Sequence, residues 1–543
     1  MDRPRLVSLA ERWAPLMATL AIVWPLAAYR YAASHDLPFH EEIVAAMRYH
    51  ADPTRYPPDF FVWRVGMPNQ LFYFLAYPLA FVVSPHVACT IVLGASVAGI
   101  VFGSAHLARH LGRTRWVAVA VAPVAIGFLF NCGFVGNVLG LGLFLGLLPV
   151  LDRFAARPTA RGAAVTVLVL LFLDLAHEST MTIGALAVVV LSAGRRLGVR
   201  ETALRLVPPA VALGAFFAVH AFGNATGGPE IRRLPHILYT ATVQKNDELA
   251  RMVLGQHNPE RMGPATLTFV ATLVLLGVDA WRTRDRSGLS PAGWGARLVP
   301  FRFGLLAAAL IWAYYAMPWE VDGALWINQR YLSPGVAVLI VALAPRARRG
   351  PSLLTCAVSI FAVGAAVALS LPAFATTTAS LSELDALMPL IEKGSAVGNA
   401  EMYSPHPRTY VFSVGSAVTR VTAARGGRTA SSFLHDSPIP PIVIAPKYRW
   451  HDLEVNHQGM AVRPAYDLRE LRYFIVWLRS DAVPEAGITA ALAPDARFVA
   501  RSGGWVLYES THDIVPIASP ELQVPPDAET VVDRLLGNSR PLR

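Results

Sequence analysis

The chain contains little cysteine, and this scarcity excludes two common ways of stabilising a fold. Its 543 residues include three cysteines, Cys89, Cys132 and Cys356, all in or beside apolar runs and without paired or metal-type spacing. We therefore expect neither a disulfide framework nor a cysteine-based zinc site.

Charged residues are also scarce, and lysine is nearly absent. They make up 15% of the chain, and only three of its 47 basic residues are lysines, Lys245, Lys393 and Lys447. The net charge of +10 therefore comes from arginine. Because the arginines flank apolar runs, they indicate contact with anionic lipid headgroups, and no nucleic-acid partner is expected.

Several signature motifs of soluble enzymes and motors are missing as well. The sequence has no G-x-x-x-x-G-K-[ST], no G-x-G-x-x-G after a strand and no H-E-x-x-H. Nucleotide-driven transport, dinucleotide redox chemistry and zincin chemistry thus lose their usual sequence support.

Apolar residues dominate what remains. The hydrophobic content is 54% and the mean hydropathy is +0.43. Apolar runs of about 15–22 residues recur through the first 375 positions, near the length of a helix that crosses a bilayer. The composition predicts a polytopic α-helical membrane protein with about 11 transmembrane helices. Its first run, residues 14–33, is longer than a signal-peptide core and lacks a clean cleavage site, which indicates an uncleaved span.

The connecting segments alternate in arginine content. By the positive-inside rule, the arginine-rich connections are cytoplasmic and the arginine-poor ones lie outside, with the N-terminus in the cytoplasm of a bacterial cell and the chain in its inner membrane. This assignment requires residues 69–106 to cross the membrane once, with a break near 84–86 and a further re-entrant or interfacial piece. The rich segments are 109–115, 152–161, 194–205 and 345–350, and the poor ones are 131–137, 176–180 and 318–330.

The composition changes after residue 375, which predicts two domains. Residues 1–375 form a multi-span membrane domain with long outside loops at 34–68 and 223–263. Residues 376–543 form a soluble extracytoplasmic α/β domain, which opens with a linker (ATTTAS) and a helix. Short strand-like runs follow at 409–414, 442–446, 471–478 and 496–510.

The segment SHDLPFHEE in the first outside loop concentrates titratable groups. Asp36 precedes Leu-Pro and can cap a helix, with Glu41 and Glu42 near its positive end, so these acids can be cap and dipole residues of an interfacial helix. Alternatively, Asp36 is a general base supported by His40 or Glu41. A third interpretation, a metal site from His35, Asp36, His40 and Glu41, leaves a divalent metal open as a cofactor.

Two further outside segments carry candidate binding residues. In AHEST, His177 and Glu178 lie at the end of a span, where ionisable groups are either functional or hydrated at headgroup level. In WINQRYL, Arg330 suits a phosphate, although it can also extend towards lipid headgroups. Trp326 and Asn328 beside it can stack on and hydrogen-bond to a sugar. Two arginines of the 223–263 loop, Arg232 and Arg233, are secondary candidates.

The small residues of GNVLGLGLFLGLL, at 136–148, form a stripe along one predicted span. Small residues allow neighbouring membrane helices to approach closely. We therefore interpret this stripe as a helix-packing face rather than a ligand site.

These features together resemble the GT-C superfamily of membrane glycosyltransferases that use polyprenyl-phosphate sugars, such as protein O-mannosyltransferases and aminoarabinose transferases. The resemblance rests on the basic N-terminus and single span before an aspartate-led outside loop, on FVGNVLGLGLFLGLLPVLDR, LFLDLAHEST and WINQRYLSPGVAVLIVAL, and on a late GGWVLYES. It implies that Asp36 is the first-loop catalytic acid and that Arg330 contacts a phosphate. Many members have a compact Asp-Glu pair where this chain reads His-Asp-Leu-Pro-Phe-His-Glu-Glu.

The resulting expectation is an inverting glycosyltransferase that moves a sugar from a polyprenyl-phosphate donor to an extracytoplasmic glycan, lipid or protein. Asp36, His40 and Glu41 are its expected catalytic residues. The substrate-binding residues are expected to be Arg330, His177, Glu178, Asn328 and Trp326. Two alternatives stay open: a transporter or flippase of a lipid-linked saccharide, for which Asp174 within a span is slight support, and a non-catalytic subunit of envelope polysaccharide assembly.

Overall fold

The structure is a computed structural model and is mostly helical. It describes residues 3–193, 195, 198–225, 237–255, 259–283, 299–321, 324–347, 350–401, 414–429, 432–435, 440–448, 464–478, 485–514 and 534.

The helices of these residues run along the whole chain. Those of the N-terminal half are α1 (Arg3–Ala28), α2 (Leu37–Tyr49), α3 (Leu71–Leu79), α4 (Pro85–His110), α5 (Val117–Ala125), α6 (Phe128–Cys132), α7 (Val135–Ala156), α8 (Ala160–Ala176), α9 (Glu178–Ser192), α10 (Val199–Ala225), α11 (Thr242–Leu254) and α12 (Pro259–Arg282). Those that follow are α13 (Arg302–Ala316), α14 (Gln329–Leu343), α15 (Leu353–Leu387), α16 (Val414–Arg425), α17 (Pro464–Asp467) and α18 (Glu485–Leu492).

The described part of the chain also forms ten strands, and most of them belong to the last 150 residues. They are β1 (Phe61–Trp63), β2 (Ile237–Leu238), β3 (Glu320–Val321), β4 (Ala324–Leu325), β5 (Ala396–Glu401), β6 (Arg428–Thr429), β7 (Ile442–Ile444), β8 (Tyr473–Trp477), β9 (Ala496–Ser502) and β10 (Trp505–Ser510).

Six of the described helical segments are long and apolar enough to cross a membrane, so the chain is a multi-pass membrane protein. These are Pro85–His110, Val135–Ala156, Val199–Val219, Met262–Arg282, Val299–Ala316 and Leu353–Leu390. Shorter apolar helical segments occupy 117–132, 178–192 and 329–343. The structure also has a break near 84–86, because α3 ends at Leu79 and α4 begins at Pro85. The total of about 11 crossings stays a prediction.

The residues group into two compact units, the first of which comprises 1–28, 67–72 and 92–372. Its helices approach closely at glycines, as the stripe at 136–148 predicted. A Cβ on Gly142 of α7 would lie 2.9 Å from the carbonyl carbon of Gly99 in α4. A Cβ on Gly140 would collide with the Thr180 hydroxyl of α9. The stripe is therefore a packing face.

Three short strands of this unit help to position the residues that precede α14. β2, β3 and β4 form an antiparallel sheet, and the β3–β4 hairpin returns the chain towards α13. The Ile327 N–H then donates to the Trp319 carbonyl at 3.1 Å, and the Asn328 N–H donates to the Pro318 carbonyl at 3.1 Å. These bonds fix the residues immediately before α14.

The second unit comprises 29–66, 73–91 and 373–543 and contains a five-stranded mixed sheet. The strand order is β6-β5-β8-β10-β9; β5 runs parallel to β6 and β8, whereas β8, β10 and β9 are antiparallel. Alternate residues of β8 enter different cores: Phe474 and Val476 pack with α18, and Tyr473 and Ile475 pack with the end of α15. This alternation follows from the two-residue period of a strand.

Residues 34–66 pack in the second unit. β1 pairs antiparallel with β7, with Val62 opposite Val443, and α2 packs against α16. The buried residues of α2 include Ile43, Val44 and Met47, and the two alanines between them are buried as well. α2 is therefore enclosed by protein rather than lying as an amphipathic helix in an interface.

The expectations for the last third of the sequence have mixed outcomes. The runs at 442–446, 471–478 and 496–510 contain strands β7, β8, β9 and β10. The predicted linker ATTTAS is wrong, because α15 continues through it to Leu387. Leu381, Leu384 and Leu387 are buried in the core, so tertiary packing outweighs the weak helix propensity of threonine and serine. Most of the run at 409–414 lies outside the described residues.

Candidate functional site

Asp36 occupies the N-cap position of α2, but its side chain does not act as a cap. Pro38 in the first turn favours a helix start here, and Asp36 has helical backbone angles and no side-chain capping bond. Its Oδ1 instead lies 2.7 Å from His35 Nδ1. The side chain is 17% exposed. The cap interpretation is therefore wrong for Asp36, and its carboxylate is paired with an imidazole at the edge of the unit.

Glu41 lies in a buried ion pair with residues distant in sequence. Its Oε2 accepts from Arg420 Nη1 of α16 at 2.5 Å, and its Oε1 is 2.7 Å from His86 Nδ1. Burial opposes ionisation, but the positive charges of His86 and Arg420 outweigh it and hold the pKa of Glu41 below its usual value. This network anchors α2 within the protein, so the interpretation of Glu41 as a dipole residue of an interfacial helix is also wrong.

The same network continues to the segment before α2. Asp385 of α15 accepts a hydrogen bond from the Tyr31 hydroxyl and pairs with Arg30 Nη2 at 2.8 Å. Arg420 Nη2 lies 3.6 Å from Asp385 Oδ1, and its guanidinium carbon is 4.1 Å from the Tyr31 ring centroid. Two carboxylates are thus surrounded by two arginines and His86, which ties the chain on both sides of Asp36 to α15 and α16.

Glu42 has a different environment from its neighbour. Its Oε2 accepts from Ser432 Oγ at 2.5 Å, and its Oε1 accepts from the Thr422 hydroxyl. Burial raises the pKa of Glu42 to about 7, although the two hydroxyl donors partly offset that effect. The interpretation of Glu42 as a dipole residue of an interfacial helix is therefore wrong.

His40 faces aromatic residues of the same unit. Its Nδ1 lies 2.7 Å from the Tyr73 hydroxyl, and its ring meets the Phe433 ring edge-on at 6.1 Å. Phe39 stacks on Phe433 at 4.2 Å. Among the described residues, no group of three or more His, Cys, Asp or Glu side chains is arranged to hold a metal ion, so the metal interpretation of this loop gains no support.

In the first unit, Arg330, His177 and Glu178 come together. Arg330 lies in the first turn of α14, and its Nη1 is 3.2 Å from Glu178 Oε1 and 3.4 Å from His177 Nε2. Its guanidinium carbon lies 5.2 Å from the Phe134 ring centroid. The Arg330 side chain is 15% exposed and ion-paired, which differs from an arginine extended towards lipid headgroups.

The junction between α8 and α9 holds His177 and Glu178 in place. α8 ends at Ala176, two residues beyond Asp174, so Asp174 is at a helix end rather than deep in a span. Asn69, with a φ of 65°, accepts from the Glu178 N–H through Oδ1 at 3.0 Å, and its own N–H donates to the Asp174 carbonyl at 3.2 Å. Asparagine tolerates this left-handed conformation better than most residues.

Trp326 and Asn328 have separate environments. Trp326 adopts a φ of 57° at the end of the β3–β4 hairpin, and its ring lies 5.8 Å from that of Phe134 and 6.1 Å from that of Phe128. Asn328 is completely buried, and its Nδ2 donates to the Tyr314 carbonyl at 3.3 Å. Asn328 therefore joins α14 to α13, and we do not retain it as a sugar-binding residue.

Sequence reasoning did not identify most partners of these residues. Asp385 lies in the helix predicted after ATTTAS, Arg420 lies between two predicted strands where no element was expected, and Asn69 carried no motif. Only His35 had an available signal, namely its place beside Asp36. The secondary candidates Arg232 and Arg233 lie outside the described residues.

Comparison with known proteins supports the predicted fold. No protein-family model matches the chain, and no curated protein matches it. Among solved structures, ArnT from Cupriavidus metallidurans bound to undecaprenyl phosphate is similar over 96% of this chain and 100% of its own, with a TM-score of 0.50 and 12% identity. Apo ArnT from the same organism has a TM-score of 0.49 and 13% identity, covering 92% of this chain and 98% of its own.

A mycobacterial arabinofuranosyltransferase, AftD, has a TM-score of 0.45 and 16% identity; the match covers 92% of this chain and 42% of AftD. Of these three structures only the first reaches a TM-score of 0.50, and it shows that the chain shares the fold of ArnT. The fold expected from the resemblance in the sequence is thus confirmed.

Proposed function

We propose that this protein is an inverting glycosyltransferase that moves a sugar from a polyprenyl-phosphate donor to an extracytoplasmic acceptor. The observation that carries the proposal is the fold shared with an enzyme bound to undecaprenyl phosphate. In this proposal the N-terminus is cytoplasmic, the chain crosses a bacterial inner membrane about 11 times, and the α/β domain after residue 375 is extracytoplasmic. The arginine-poor loops then face the side where the acceptor is.

Asp36 is the proposed general base. Its carboxylate is partly exposed, uncommitted to helix capping and oriented by His35 at 2.7 Å. It takes the proton of the acceptor hydroxyl as the hydroxyl oxygen forms a bond to the anomeric carbon. The bond from that carbon to the phosphate oxygen breaks at the same time, so the configuration inverts and polyprenyl phosphate leaves. His40 supports this loop through Tyr73. Glu41 acts as a positioning residue because both of its oxygens are engaged.

Arg330 is the proposed ligand of the donor phosphate. A guanidinium in the first turn of α14 combines its own charge with the positive end of the helix. Glu178 orients it, and Trp326 with Phe134 offers an aromatic surface on which a sugar ring can stack.

The test is the Asp36→Asn variant of the full chain in lipid nanodiscs. We expect it to fold like the wild type and to lose transfer, measured as release of free polyprenyl phosphate from a panel of polyprenyl-phosphate sugars in the presence of envelope extract. The loss should reach about 100-fold or more, as expected for removal of a general base.

Asp59→Asn is the matched control. Asp59 lies in the same loop, is exposed, and has a φ of 58° that asparagine also tolerates, so this variant should keep wild-type activity. Wild-type release by Asp36→Asn would refute the assignment of the base. Absence of release by the wild type with every donor would refute the proposed reaction.

A further inference from the structure

His177 makes a second set of contacts, and these contacts determine which nitrogen of its imidazole ring carries the proton. It is the N-cap of α9, and its Nδ1 accepts a hydrogen bond from the Ser179 N–H at 3.1 Å. Ser179 Oγ lies 3.0 Å from the same nitrogen and itself accepts from Asn137 Nδ2 at 2.7 Å. The Ser179 hydroxyl proton is therefore available to Nδ1 as well.

These contacts select one tautomer of the imidazole. A backbone N–H is only a donor, so Nδ1 must present its lone pair, and the proton of the neutral ring is on Nε2. The ring is neutral at ordinary pH because burial lowers the pKa of His177 to about 4, with Glu178 acting in the opposite direction and Arg330 adding to the effect of burial.

The Nε2–H group therefore lies next to another donor. Nε2 is 3.4 Å from Arg330 Nη1, which is protonated and can only donate. Two adjacent donors cannot bond to each other, whereas an oxyanion can accept from both. Arg330 Nε, buried and without a hydrogen-bond partner among the described residues, adds unused donor capacity at the same guanidinium.

Helix ends favour an anion here, whereas the carboxylate of Glu178 offsets the charge of Arg330. α9 begins at Glu178 and α14 begins at Gln329, so the positive ends of two 15-residue helices lie at this cluster. Glu178 is the carboxylate facing it, with Oε1 3.2 Å from Arg330 Nη1 and Oε2 3.4 Å from His177 Nδ1.

We infer that His177 is a neutral hydrogen-bond donor to a phosphate oxyanion, held in its Nε2–H tautomer by capping α9, and that Ser179 and Asn137 are the positioning residues of this arrangement. The inference deepens the proposed function and rests on it for the source of the phosphate, which is the lipid carrier.

Two substitutions of His177 distinguish its role as the N-cap of α9 from its role as a hydrogen-bond donor to phosphate. Asparagine is a favoured N-cap whose Oδ1 replaces Nδ1, but it has no group at the position of Nε2. Glutamine places an amide N–H near that position. We expect His177→Asn to retain the wild-type melting temperature but bind undecaprenyl phosphate about 10- to 100-fold more weakly, the effect of one hydrogen bond to a charged group. His177→Gln should recover much of this loss.

The binding assay uses the full chain in nanodiscs with three probes: undecaprenyl phosphate, undecaprenol and inorganic phosphate. Undecaprenol should bind the wild type and His177→Asn equally, because it has no oxyanion. Weak competition by inorganic phosphate would agree with a lipid-borne phosphate, whereas equal or tighter binding of inorganic phosphate would overturn the lipid source. The ratio of wild-type to His177→Gln affinity should stay constant from pH 5.5 to 8, since a charged imidazolium would instead strengthen wild-type binding at low pH.

The outcomes distinguish this inference from the proposed function. If undecaprenyl phosphate binds the wild type and His177→Asn equally, the donor role is refuted while the glycosyltransferase proposal is unaffected. If undecaprenyl phosphate and inorganic phosphate both fail to bind the wild type, the anion site is refuted. If Asp36→Asn is fully active but His177→Asn loses affinity, the proposed base is wrong and the donor role is supported.

Discussion

Glu41 and Glu42 are adjacent in sequence but lie in opposite electrostatic environments. Glu41 faces Arg420 and His86, whereas Glu42 faces two hydroxyl groups. Both are buried, and burial disfavours a carboxylate that has no cation beside it. One neighbour is thus stabilised as an anion and the other as a neutral acid.

We predict that Glu42→Gln becomes more stable relative to the wild type as the pH rises. Below the unfolded pKa of 4.5, Glu42 is protonated in both states; between 4.5 and about 7 only the unfolded chain ionises. The wild type therefore loses up to about 3 kcal/mol over this window, and glutamine abolishes the loss. Thermal unfolding of both proteins from pH 4 to 8 measures it.

Glu41→Gln is the contrasting variant in the same experiment. The folded pKa of Glu41 is lowered, so its contribution is present above its unfolded pKa and is lost as the pH falls through the folded value. We expect Glu41→Gln to be destabilised by about 3–5 kcal/mol at pH 7, because Arg420 is left buried without this carboxylate. If the stabilities of Glu41→Gln and Glu42→Gln changed with pH in the same way, the protonation states assigned to the two glutamates would be wrong.

At the level of residues, the sequence indicated where polar groups concentrate but not what they contact. SHDLPFHEE was correctly placed at the start of a helix, because a proline near the helix start is a local signal. The partner of Glu41, Arg420, is 379 residues away, and no spacing rule connects the two. His177, Glu178 and Arg330 were recognisable because ionisable residues at span ends are few.

At the level of helices, close packing in the first unit depends on specific glycines of α7. Gly142 faces the backbone of Gly99, whereas a Cβ on Gly146, one turn later, would have no atom within 4 Å. Backbone atoms cannot move aside as a flexible side chain can. An added side chain is therefore poorly tolerated at position 142 and well tolerated at position 146.

We predict that Gly142→Ala destabilises the protein by about 1–3 kcal/mol, the cost of forcing extra volume into a packed contact. Gly146→Ala is the matched control and should leave stability unchanged or slightly raised. The melting temperatures of the two variants, measured in the same detergent, test both expectations. Equal melting temperatures for the two variants would show that α4 and α7 do not pack as closely as described.

Helices and strands were predicted correctly where a single local sequence pattern determines the structure. Apolar runs located the long helices, and alternation with turn residues located β7, β8, β9 and β10. The continuation of α15 through ATTTAS was missed because its cause is the burial of Leu381, Leu384 and Leu387, a tertiary effect. The pairing of β1 with β7 was missed for the same reason, since three-residue strands carry almost no signal of their own.

At the level of the molecule, the second unit is assembled from both ends of the chain. Residues 29–66 and 73–91 join 373–543 in one compact unit, whereas the sequence grouped 34–68 with the membrane domain. β1 pairs with β7, α2 packs on α16, and both glutamates of α2 bond to residues beyond 415.

We predict that a chain ending at Leu390 loses the structure of its first outside loop, although its membrane helices remain. Without β7 and α16, residues 34–66 should become sensitive to protease, and mass spectrometry of the fragments locates the cleavage. Co-expression of residues 391–543 should restore protection. An unchanged fragment pattern in the shortened chain would show that this loop folds without the C-terminal segments.

The distance between Glu41 and its partner also has a consequence for biosynthesis. Arg420 follows Glu41 by 379 residues, and Ser432 follows Glu42 by 390. At about 5–20 residues per second, a ribosome needs roughly 20–80 seconds to synthesise that interval. Throughout this time the loop that carries Asp36 has been translated, but Glu41 lacks Arg420 and Glu42 lacks both of its hydroxyl partners. The loop can therefore reach its final structure only after residues 420–432 have been synthesised.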